Sequence, residues 1–172
     1  MKVKDVMTSG LLKFCNPETK LSSAAKIMKE ANLGALPVLD KDQKVIGMIT
    51  DRDICLSMVA KSGKLNQELN VQETIGKNGV RTIKIDDTVA DALKEMRKSR
   101  IGRLPVTDKE GKLKGMLSVN NLLSRAISRN EAFGLLTSKD ENLAKTVKAI
   151  VDRNNSKAVK ERKEALGLEL VD

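Results

Sequence analysis

The strongest constraint on the fold of this chain is an internal repeat. A shift of 68 residues, with no gap, superimposes the segment 34–41 (GALPVLDK) on the segment 102–109 (GRLPVTDK). The same shift superimposes the Gly-Met pair at 47–48 on the Gly-Met pair at 115–116. Because chance rarely produces several matches at one offset, we infer that the chain consists of two similar repeats in tandem.

Both repeats show the same order of predicted elements. Apolar residues recur at the spacing of an amphipathic helix, as Leu21, Ala24, Ala25 and Met28 in repeat 1 and as Val89, Ala92, Leu93 and Met96 in repeat 2. Two strands follow this helix, at 36–39 and 45–49 in repeat 1, and a second helix follows near 51–61. The order is therefore β-α-β-β-α. Since proline cannot donate a hydrogen bond to a ladder, Pro37 and Pro105 are expected at strand edges or strand starts.

The repeats set the domain organisation. A repeat of about 55 residues is too short to cover its own sheet, so two repeats packed through a pseudo-twofold axis would bury both sheets. The predicted fold is α/β (α+β), with repeat 1 at 1–61, a linker at 62–70, repeat 2 at 71–129 and a C-terminal helical extension at 130–172. A capping box at 138–141 and one apolar stripe suggest that the extension docks on its own domain or pairs in a dimer.

The composition excludes several classes of function. The chain has no histidine, so Ser-His-Asp triads, histidine acid–base chemistry and histidine-containing metal sites are ruled out, and no catalytic residue or metal site is predicted. It has two phenylalanines but no tryptophan or tyrosine, which argues against nucleic-acid readers that stack bases on aromatic side chains. No apolar run is long enough to cross a membrane, and no secretory signal is recognised. Cys15 and Cys55 are interpreted as reduced small hydrophobes in a cytoplasmic protein.

The net charge of +9 is concentrated in the repeats. Residues 130–172 carry eight basic and eight acidic side chains, so the whole excess of positive charge belongs to residues 1–129. A basic body is either a solvated surface or a region that attracts a polyanion or the phosphates of a nucleotide. The sequence leaves both interpretations open.

Four motifs of repeat 1 together resemble a CBS (cystathionine β-synthase-type) repeat: residues 5–8 (DVMT), the helix ending near Met28, residues 34–38 (GALPV) and residues 47–54 (GMITDRDI). Residues 71–123 resemble a second such repeat. Pairs of them, called Bateman modules, occur in inosine-monophosphate dehydrogenases, in gamma subunits of AMP-activated kinase and in stand-alone proteins. The resemblance implies a non-catalytic regulatory or sensor module that forms a homodimer and binds AMP, ADP, ATP or an NAD- or S-adenosylmethionine-type ligand.

The segment Gly47-x-x-Thr50-x-x-Asp53 is the sharpest candidate for ligand binding. A strand ends here and a helix begins, so unpaired amides at the helix start favour an anion. The Asp53 carboxylate presents two oxygens that can accept both hydroxyls of a ribose, and Thr50 can contact ribose or phosphate. The alternative is that Thr50 and Asp53 form only a capping box. The CBS resemblance favours the ribose role, and Arg52 is included in the site.

The second repeat departs from this pattern. Ser118 and Asn121 occupy the equivalent positions, and an amide lacks the charge and the paired acceptors of a carboxylate. Repeat 2 is therefore expected to bind more weakly, with different selectivity, or not at all. Arg103 stands where repeat 1 has Ala35, and the resemblance to kinase gamma subunits implies that Arg103 contacts a phosphate.

Four further residues are assigned to the ligand by resemblance alone. Thr8 is expected to border the nucleotide, and the adenine is expected to meet backbone groups and aliphatic side chains around Phe14, Gly34 and Leu36. The leading hypothesis is an adenine-nucleotide sensor that signals to an unidentified effector protein. The alternatives are an S-adenosylmethionine- or NAD-type sensor and a nucleic-acid-associated protein, which the charge of +9 favours and the shortage of aromatic residues opposes.

Overall fold

The structure of the chain is a computed structural model that describes residues 1–60, 69–76 and 79–128, together with Lys145, Thr146 and Ala149. Most of the predicted linker at 62–70 lies outside the described residues. The same holds for most of the predicted C-terminal extension at 130–172, including its capping box at 138–141. The side chains at the ends of two helices, at 59–60 and 124–128, also lie outside the description.

The described residues form the elements predicted for each repeat. Repeat 1 contains α1 (Leu21–Glu30), β1 (Ala35–Leu39), β2 (Val45–Thr50) and α2 (Asp51–Ala60). Repeat 2 contains β3 (Ile83–Lys84), α3 (Val89–Ser99), β4 (Arg103–Thr107), β5 (Leu113–Ser118) and α4 (Val119–Ser128). Each element of repeat 1 begins 68 residues before its counterpart among α3, β4, β5 and α4. Short 3-10 turns, which the sequence patterns did not indicate, lie at Val3–Asp5 and Val71–Glu73.

The strands form two small sheets. β1 and β2 pair antiparallel, with Leu36 opposite Ile49, and Cys15 adds a single parallel bridge to Val38 on the other side of β1. In repeat 2 the strand order is β3-β4-β5, and β3 runs parallel to β4. The predicted α/β fold is confirmed, although the first strand of repeat 1 is reduced to one bridge.

Pro37 and Pro105 do not lie at strand edges or starts, so that prediction was wrong. Each is the third residue of its strand, and each strand has a neighbour on both sides. The Pro37 carbonyl accepts a hydrogen bond from the Cys15 N–H at 3.1 Å, so the Pro37 nitrogen faces the same side of β1. The parallel pairing begins at Cys15. An N–H at residue 37 would therefore point to a position just before Cys15, where the two segments are not yet paired. Its absence in Pro37 removes no hydrogen bond from the sheet.

The described residues cluster into two compact units that do not coincide with the repeats. Unit A comprises 7–85 and 105–116, and unit B comprises 1–6, 86–104 and the described residues from 117 onward. Backbone hydrogen bonds within each unit explain this division, because they join segments from different repeats.

The 3-10 turns are the segments that the repeats exchange. In unit A, the Val71 N–H donates to the Thr19 carbonyl at 2.9 Å. In unit B, the Val3 N–H donates to the Asp87 carbonyl at the same distance. The repeat offset relates these two bonds, with the donor and acceptor repeats interchanged. Each repeat therefore contributes its N-terminal turn to the segment that precedes the first helix of the other.

Each unit has its own apolar core. The fully buried side chains of unit A include Leu21, Leu36, Val38, Ile49 and Val71. Those of unit B include Val3, Ala92, Met96, Leu104 and Leu117. Burial of one such leucine, valine or methionine side chain contributes about 1.5–3 kcal/mol to stability. The apolar residues at helical spacing are therefore core residues, as predicted.

The C-terminal extension contacts repeat 2 where the structure describes it. Thr146 is fully buried, and its hydroxyl donates to the backbone carbonyl of Leu93, in α3, at 3.2 Å. A buried hydroxyl needs such a partner, since an unsatisfied one costs about 1–3 kcal/mol. This contact fits the expectation that the extension docks on its own domain.

Candidate functional site

The turn between β2 and α2 holds Thr50 and Asp53 in a fixed arrangement. The Asp53 Oδ2 atom accepts two hydrogen bonds, from the Thr50 backbone N–H at 3.0 Å and from the Thr50 hydroxyl at 2.7 Å. In return, the Asp53 N–H donates to the Thr50 hydroxyl oxygen at 3.1 Å. This reciprocal pair is a capping box, which satisfies amides at the start of α2. The Asp51 N–H is satisfied as well, by the Gly34 carbonyl at 3.2 Å.

The same arrangement occurs at two other helix starts. Before α4, the Ser118 N–H donates to Asn121 Oδ1 at 2.9 Å, and the Asn121 N–H donates to Ser118 Oγ at 3.1 Å. Thr88 and Asp91 form the equivalent box before α3. Hydrogen bonds from the Thr88 hydroxyl, and then from its backbone N–H, lower the pKa of the Asp91 carboxyl. Because three helix starts share the box, it is local structure and does not by itself identify a ligand site.

The boxes that follow β2 and β5 differ in the chemical group that remains beside the cap. Asp53 keeps its second carboxylate oxygen, Oδ1, to which none of the described residues donates a hydrogen bond. Asn121 carries an amide nitrogen in place of that oxygen. A carboxylate oxygen accepts strongly from a hydroxyl, whereas an amide nitrogen donates. The cap of repeat 1 therefore fixes a charged acceptor that the cap of repeat 2 does not have.

Of the three residues expected around the adenine, Leu36 lies in the sheet that ends at Thr50, and Gly34 and Phe14 lie beside it. Gly34 directly precedes β1, whose first residue pairs with Thr50. Leu36 is fully buried, so its side chain belongs to the core. Phe14 lies on the segment that runs beside β1, and its side chain is 40% exposed. Of these residues, Phe14 alone combines a large side chain with solvent access.

Phe14 also lines an open cleft that the sequence reasoning missed. The cleft has a volume of about 390 Å³ and is lined by Leu12, Lys13, Phe14, Ile27, Glu30 and Ala31. Its α1 side consists of residues three and four positions apart, and this helical spacing is the signal that could have found it. The equivalents of Phe14 and Ile27 in repeat 2 are Thr82 and Glu95, so repeat 2 does not supply the same apolar lining. Thr50 and Asp53 are not among the lining residues.

The hydrogen bonds described for Thr8 and Arg52 are made to residues other than Asp53. Thr8 pairs with Met116 of β5 through two backbone hydrogen bonds, at 2.8 and 2.9 Å, and therefore lies beside the sheet of repeat 2. Arg52 is exposed in the first turn of α2, and its backbone N–H donates to the carboxylate of Asp51 at 2.7 Å. No described contact joins either side chain to Asp53, and their ligand roles stay predictions.

The remaining candidate residues, Arg103, Ser118 and Asn121, lie in unit B, whereas the Thr50 turn lies in unit A. The Val119 N–H donates to the Gly102 carbonyl at 3.0 Å, which brings the first residue of β4 beside the last residue of β5. Arg103 is therefore a neighbour of Ser118, and it is exposed. Repeat 2 thus combines a cation with a neutral amide, and repeat 1 combines Ala35 with a carboxylate.

The two cysteines lie in different surroundings. Cys15 is buried, and this burial raises the pKa of its thiol to about 11, as expected for a core residue. Cys55 is a free cysteine as well, but it is exposed and does not belong to the core. Within the described ranges, no three Cys, Asp or Glu side chains are placed to hold a metal ion. Over the same ranges, no helix is long and apolar enough to span a membrane.

Comparison with known proteins gives consistent matches. A family model described as the CBS domain matches residues 3–60 and 74–128. The protein YlbB of Bacillus subtilis (strain 168) is 34% identical over 134 residues, which cover 77% of this chain and 86% of YlbB. Inosine-5′-monophosphate dehydrogenase of Aquifex aeolicus (strain VF5) is 31% identical over 109 residues, which cover 63% of this chain but only 21% of that enzyme.

Solved structures match the fold as well. The CBS domain pair of protein MJ0100, in complex with 5′-methylthioadenosine and S-adenosyl-L-methionine, is 25% identical and has a TM-score of 0.64. The match covers 76% of this chain and 98% of that chain. The resemblance found in the motifs of both repeats is therefore confirmed at the level of sequence and of fold.

Proposed function

Since this chain belongs to the CBS-domain family, we propose that it is a non-catalytic regulatory module in which repeat 1 binds an adenine nucleotide such as AMP, ADP or ATP. The Asp53 carboxylate accepts hydrogen bonds from the ribose hydroxyls, and Thr50 holds that carboxylate in place. The observation that carries this proposal is Asp53 Oδ1, a carboxylate oxygen fixed by its partner oxygen in the cap and itself available.

A fixed acceptor binds better than a mobile one, because its rotamer entropy is already lost before the ligand arrives. Two hydrogen bonds hold Oδ2 to Thr50, so the position of Oδ1 is set by the helix start and not by the ligand. Hydrogen bonds to a charged acceptor contribute about 1.5–3 kcal/mol each. The same reasoning gives repeat 2 a weaker hold on ribose, because Asn121 presents no carboxylate.

Different features support the binding of the base and the binding of the phosphates. The MJ0100 pair binds two ligands that share an adenosine group, and the half-exposed Phe14 offers an apolar surface for a purine ring. The charge of +9 favours phosphate-bearing ligands over S-adenosylmethionine, whose sulfonium group is positive. Arg103 beside Ser118 supplies a guanidinium suited to phosphate oxygens in repeat 2. These features favour nucleotides among the adenosine ligands.

A thermal-shift series tests this function. AMP, ADP and ATP are expected to raise the melting temperature of the wild type more than S-adenosylmethionine or NAD does, since a ligand of the native state stabilises it by mass action. The variant Asp53→Ala should lose this response. Asp91→Ala is the matched control, because it removes the carboxylate of an equivalent capping box in α3.

Loss of the response in Asp53→Ala but not in Asp91→Ala supports the assignment. A wild type whose melting temperature no adenine nucleotide raises would contradict the function, and an Asp53→Ala variant that responds like the wild type would contradict the site. Both variants lose a cap, so any fall in the melting temperature without ligand is expected in each and does not bear on binding.

The proposed module is a cytoplasmic homodimer that regulates an effector protein. The exposure of large apolar side chains, among them Leu11 at 99% and Leu56 at 54%, supports self-association. The free thiols of Cys15 and Cys55 fit a reducing compartment. A nucleotide would regulate the effector by favouring one of two arrangements, to the extent of its differential affinity for them. Sedimentation across a range of concentrations tests the dimer, and a constant monomer mass would contradict it.

A further inference from the structure

The hairpin turns of the two repeats meet and bond to one another. The turn at 40–44 joins β1 to β2, and the turn at 108–112 joins β4 to β5. The Val45 N–H donates to the Gly111 carbonyl at 3.0 Å, and the Leu113 N–H donates to the Gln43 carbonyl at 3.4 Å. Between these two bonds, Lys44 and Lys112 lie opposite each other in an antiparallel bridge. All of these residues belong to unit A.

This bridge holds two positive charges side by side. Directly opposed residues in antiparallel pairs have Cβ atoms about 4.5–5.5 Å apart, and like charges there are destabilising. Lys44 and Lys112 are both exposed, and neither forms an ion pair with a described residue. Lys41 and Lys109, one in each turn, are also exposed and also lack a described ion pair. The two turns therefore carry four exposed lysines, in two pairs related by the repeat offset, and the pair Lys44 and Lys112 is directly opposed.

The carboxylates that begin the turns are occupied by other contacts. Asp40 Oδ1 accepts from the backbone N–H groups of Asp42 and Lys44, both at 2.9 Å. Asp108 Oδ1 accepts from the Lys112 N–H at 2.8 Å, and its Oδ2 pairs with Lys114 at 3.1 Å. These carboxylates stabilise the turns. The acidic side chains left at the turn tips, Asp42 and Glu110, are exposed and form no described ion pair with the four lysines.

We propose that Lys44 and Lys112 form a second anion site, which takes an inorganic oligophosphate, and that Lys41 and Lys109 of the same turns add to its positive charge. Lysine ammonium groups are compact donors that bind phosphate oxygens as point charges. An anion with neighbouring phosphate groups can contact both members of the opposed pair and remove their repulsion. None of the four lysines belongs to the ribose site, and no aromatic side chain lies in either turn, so the site does not require a nucleoside.

Calorimetric titration with sodium tripolyphosphate at low ionic strength tests the proposal. The variant Lys44→Ala/Lys112→Ala is expected to bind at least about tenfold more weakly than the wild type, since it loses two charge-assisted contacts. The matched control is Lys26→Ala/Lys29→Ala, which removes two exposed lysines from α1 and so changes the net charge equally. The control should stay within about twofold of the wild type, because it lies outside the junction.

The melting temperature shows whether the variant Lys44→Ala/Lys112→Ala still folds. Removing the opposed charges should leave its melting temperature at low salt equal to or above that of the wild type. Equal losses of affinity in the junction variant and the control would overturn the proposal, because general attraction to a basic body would then explain binding. Competition by AMP would overturn it as well, by assigning tripolyphosphate to the nucleotide site. A single-stranded oligonucleotide that binds through these lysines when tripolyphosphate does not would also overturn it.

Discussion

Repeat 1 and repeat 2 have the same backbone at their helix starts but different chemistry there. Thr50 with Asp53 and Ser118 with Asn121 make the same three hydrogen bonds, with corresponding distances that differ by no more than 0.1 Å. The cap therefore requires only one acceptor oxygen, which aspartate and asparagine both provide. The second polar atom of each side chain takes no part in the cap. That atom is a charged oxygen in repeat 1 and an amide nitrogen in repeat 2.

The repeats also differ where their first strand pairs with the next. In repeat 2 the Ile85 N–H donates to the Thr107 carbonyl at 2.9 Å and extends β3 beside β4. The equivalent of Ile85 in repeat 1 is Pro17, which has no N–H, so the pairing stops at Cys15. An open cavity of about 580 Å³ lies beside this point, lined by residues 16–18 and 39–43. One proline thus shortens a strand and opens the surface next to it.

The largest expected effect on stability is a difference between two equivalent glycines, Gly47 and Gly115. A Cβ atom at Gly115 would lie 2.6 Å from Met7 Sδ and 2.8 Å from the backbone oxygen of Thr8, which is held by its bridge to Met116. A Cβ atom at Gly47 would lie 3.1 Å from Ile75 Cδ1, and 3.4 and 3.5 Å from its Cγ2 and Cβ atoms, distances at which a side chain can give way without moving the backbone. Gly115→Ala should therefore lower the free energy of unfolding by about 2–3 kcal/mol, and Gly47→Ala by about 1 kcal/mol or less. Urea denaturation of both variants measures the difference, and equal losses would contradict it.

A smaller effect on stability has opposite signs at two threonines, one whose hydroxyl has no partner among the described residues and one whose hydroxyl caps a helix. Thr107 is 1% exposed, and its hydroxyl has no hydrogen-bond partner among the described residues. Repeat 1 has Leu39 at this position. Thr107→Val should therefore raise the free energy of unfolding by about 1 kcal/mol, because it removes an unsatisfied polar group of similar volume. Thr88→Val should lower it by about 1 kcal/mol, because the Thr88 hydroxyl caps α3. Denaturation that shows a loss for Thr107→Val would contradict the account.

Local patterns in the sequence predicted the helices and strands, but they could not predict the contacts between the repeats. The spacing of Leu21, Ala24 and Met28 predicts α1 because helix periodicity is a local property. The exchange of the turns at Val3 and Val71 depends on hydrogen bonds to residues that are distant in the sequence. The periodicity of the sequence therefore does not indicate it. Pro37 was misplaced for the same reason, since its tolerance depends on where a distant segment begins to pair.

The site could be predicted in its chemistry but only partly in its surroundings. The motif around Thr50 and Asp53 predicted both the cap and the candidate acceptor. The burial of Leu36, and the pairing of Thr8 with β5, follow from packing that the motif does not encode. The cleft beside Phe14 needed residues from α1, which come together with it only in the folded chain.

The smallest expected effect compares the two hairpin turns. Gly111 has a φ of +86°, and its equivalent Gln43 has a φ of +63°, a left-handed conformation that costs a side chain about 1 kcal/mol. Gln43→Gly should therefore raise the free energy of unfolding by about 0.5 kcal/mol, because the gain in the turn exceeds the added freedom of the unfolded chain. Gly111→Ala should lower it by about 1 kcal/mol. If Gln43→Gly is the more damaging substitution in thermal denaturation, the two turns are not equivalent.

The difference between Asp53 and Asn121 is tested most directly by interchanging them one at a time and titrating each variant with AMP by calorimetry. Both substitutions keep the oxygen that the cap requires, so neither variant should unfold at the helix start. The account predicts that Asp53→Asn weakens AMP binding about tenfold or more, because one charged acceptor is lost. It also predicts that Asn121→Asp leaves the first site intact and strengthens binding at repeat 2. Unchanged AMP affinity in a folded Asp53→Asn variant would contradict the account.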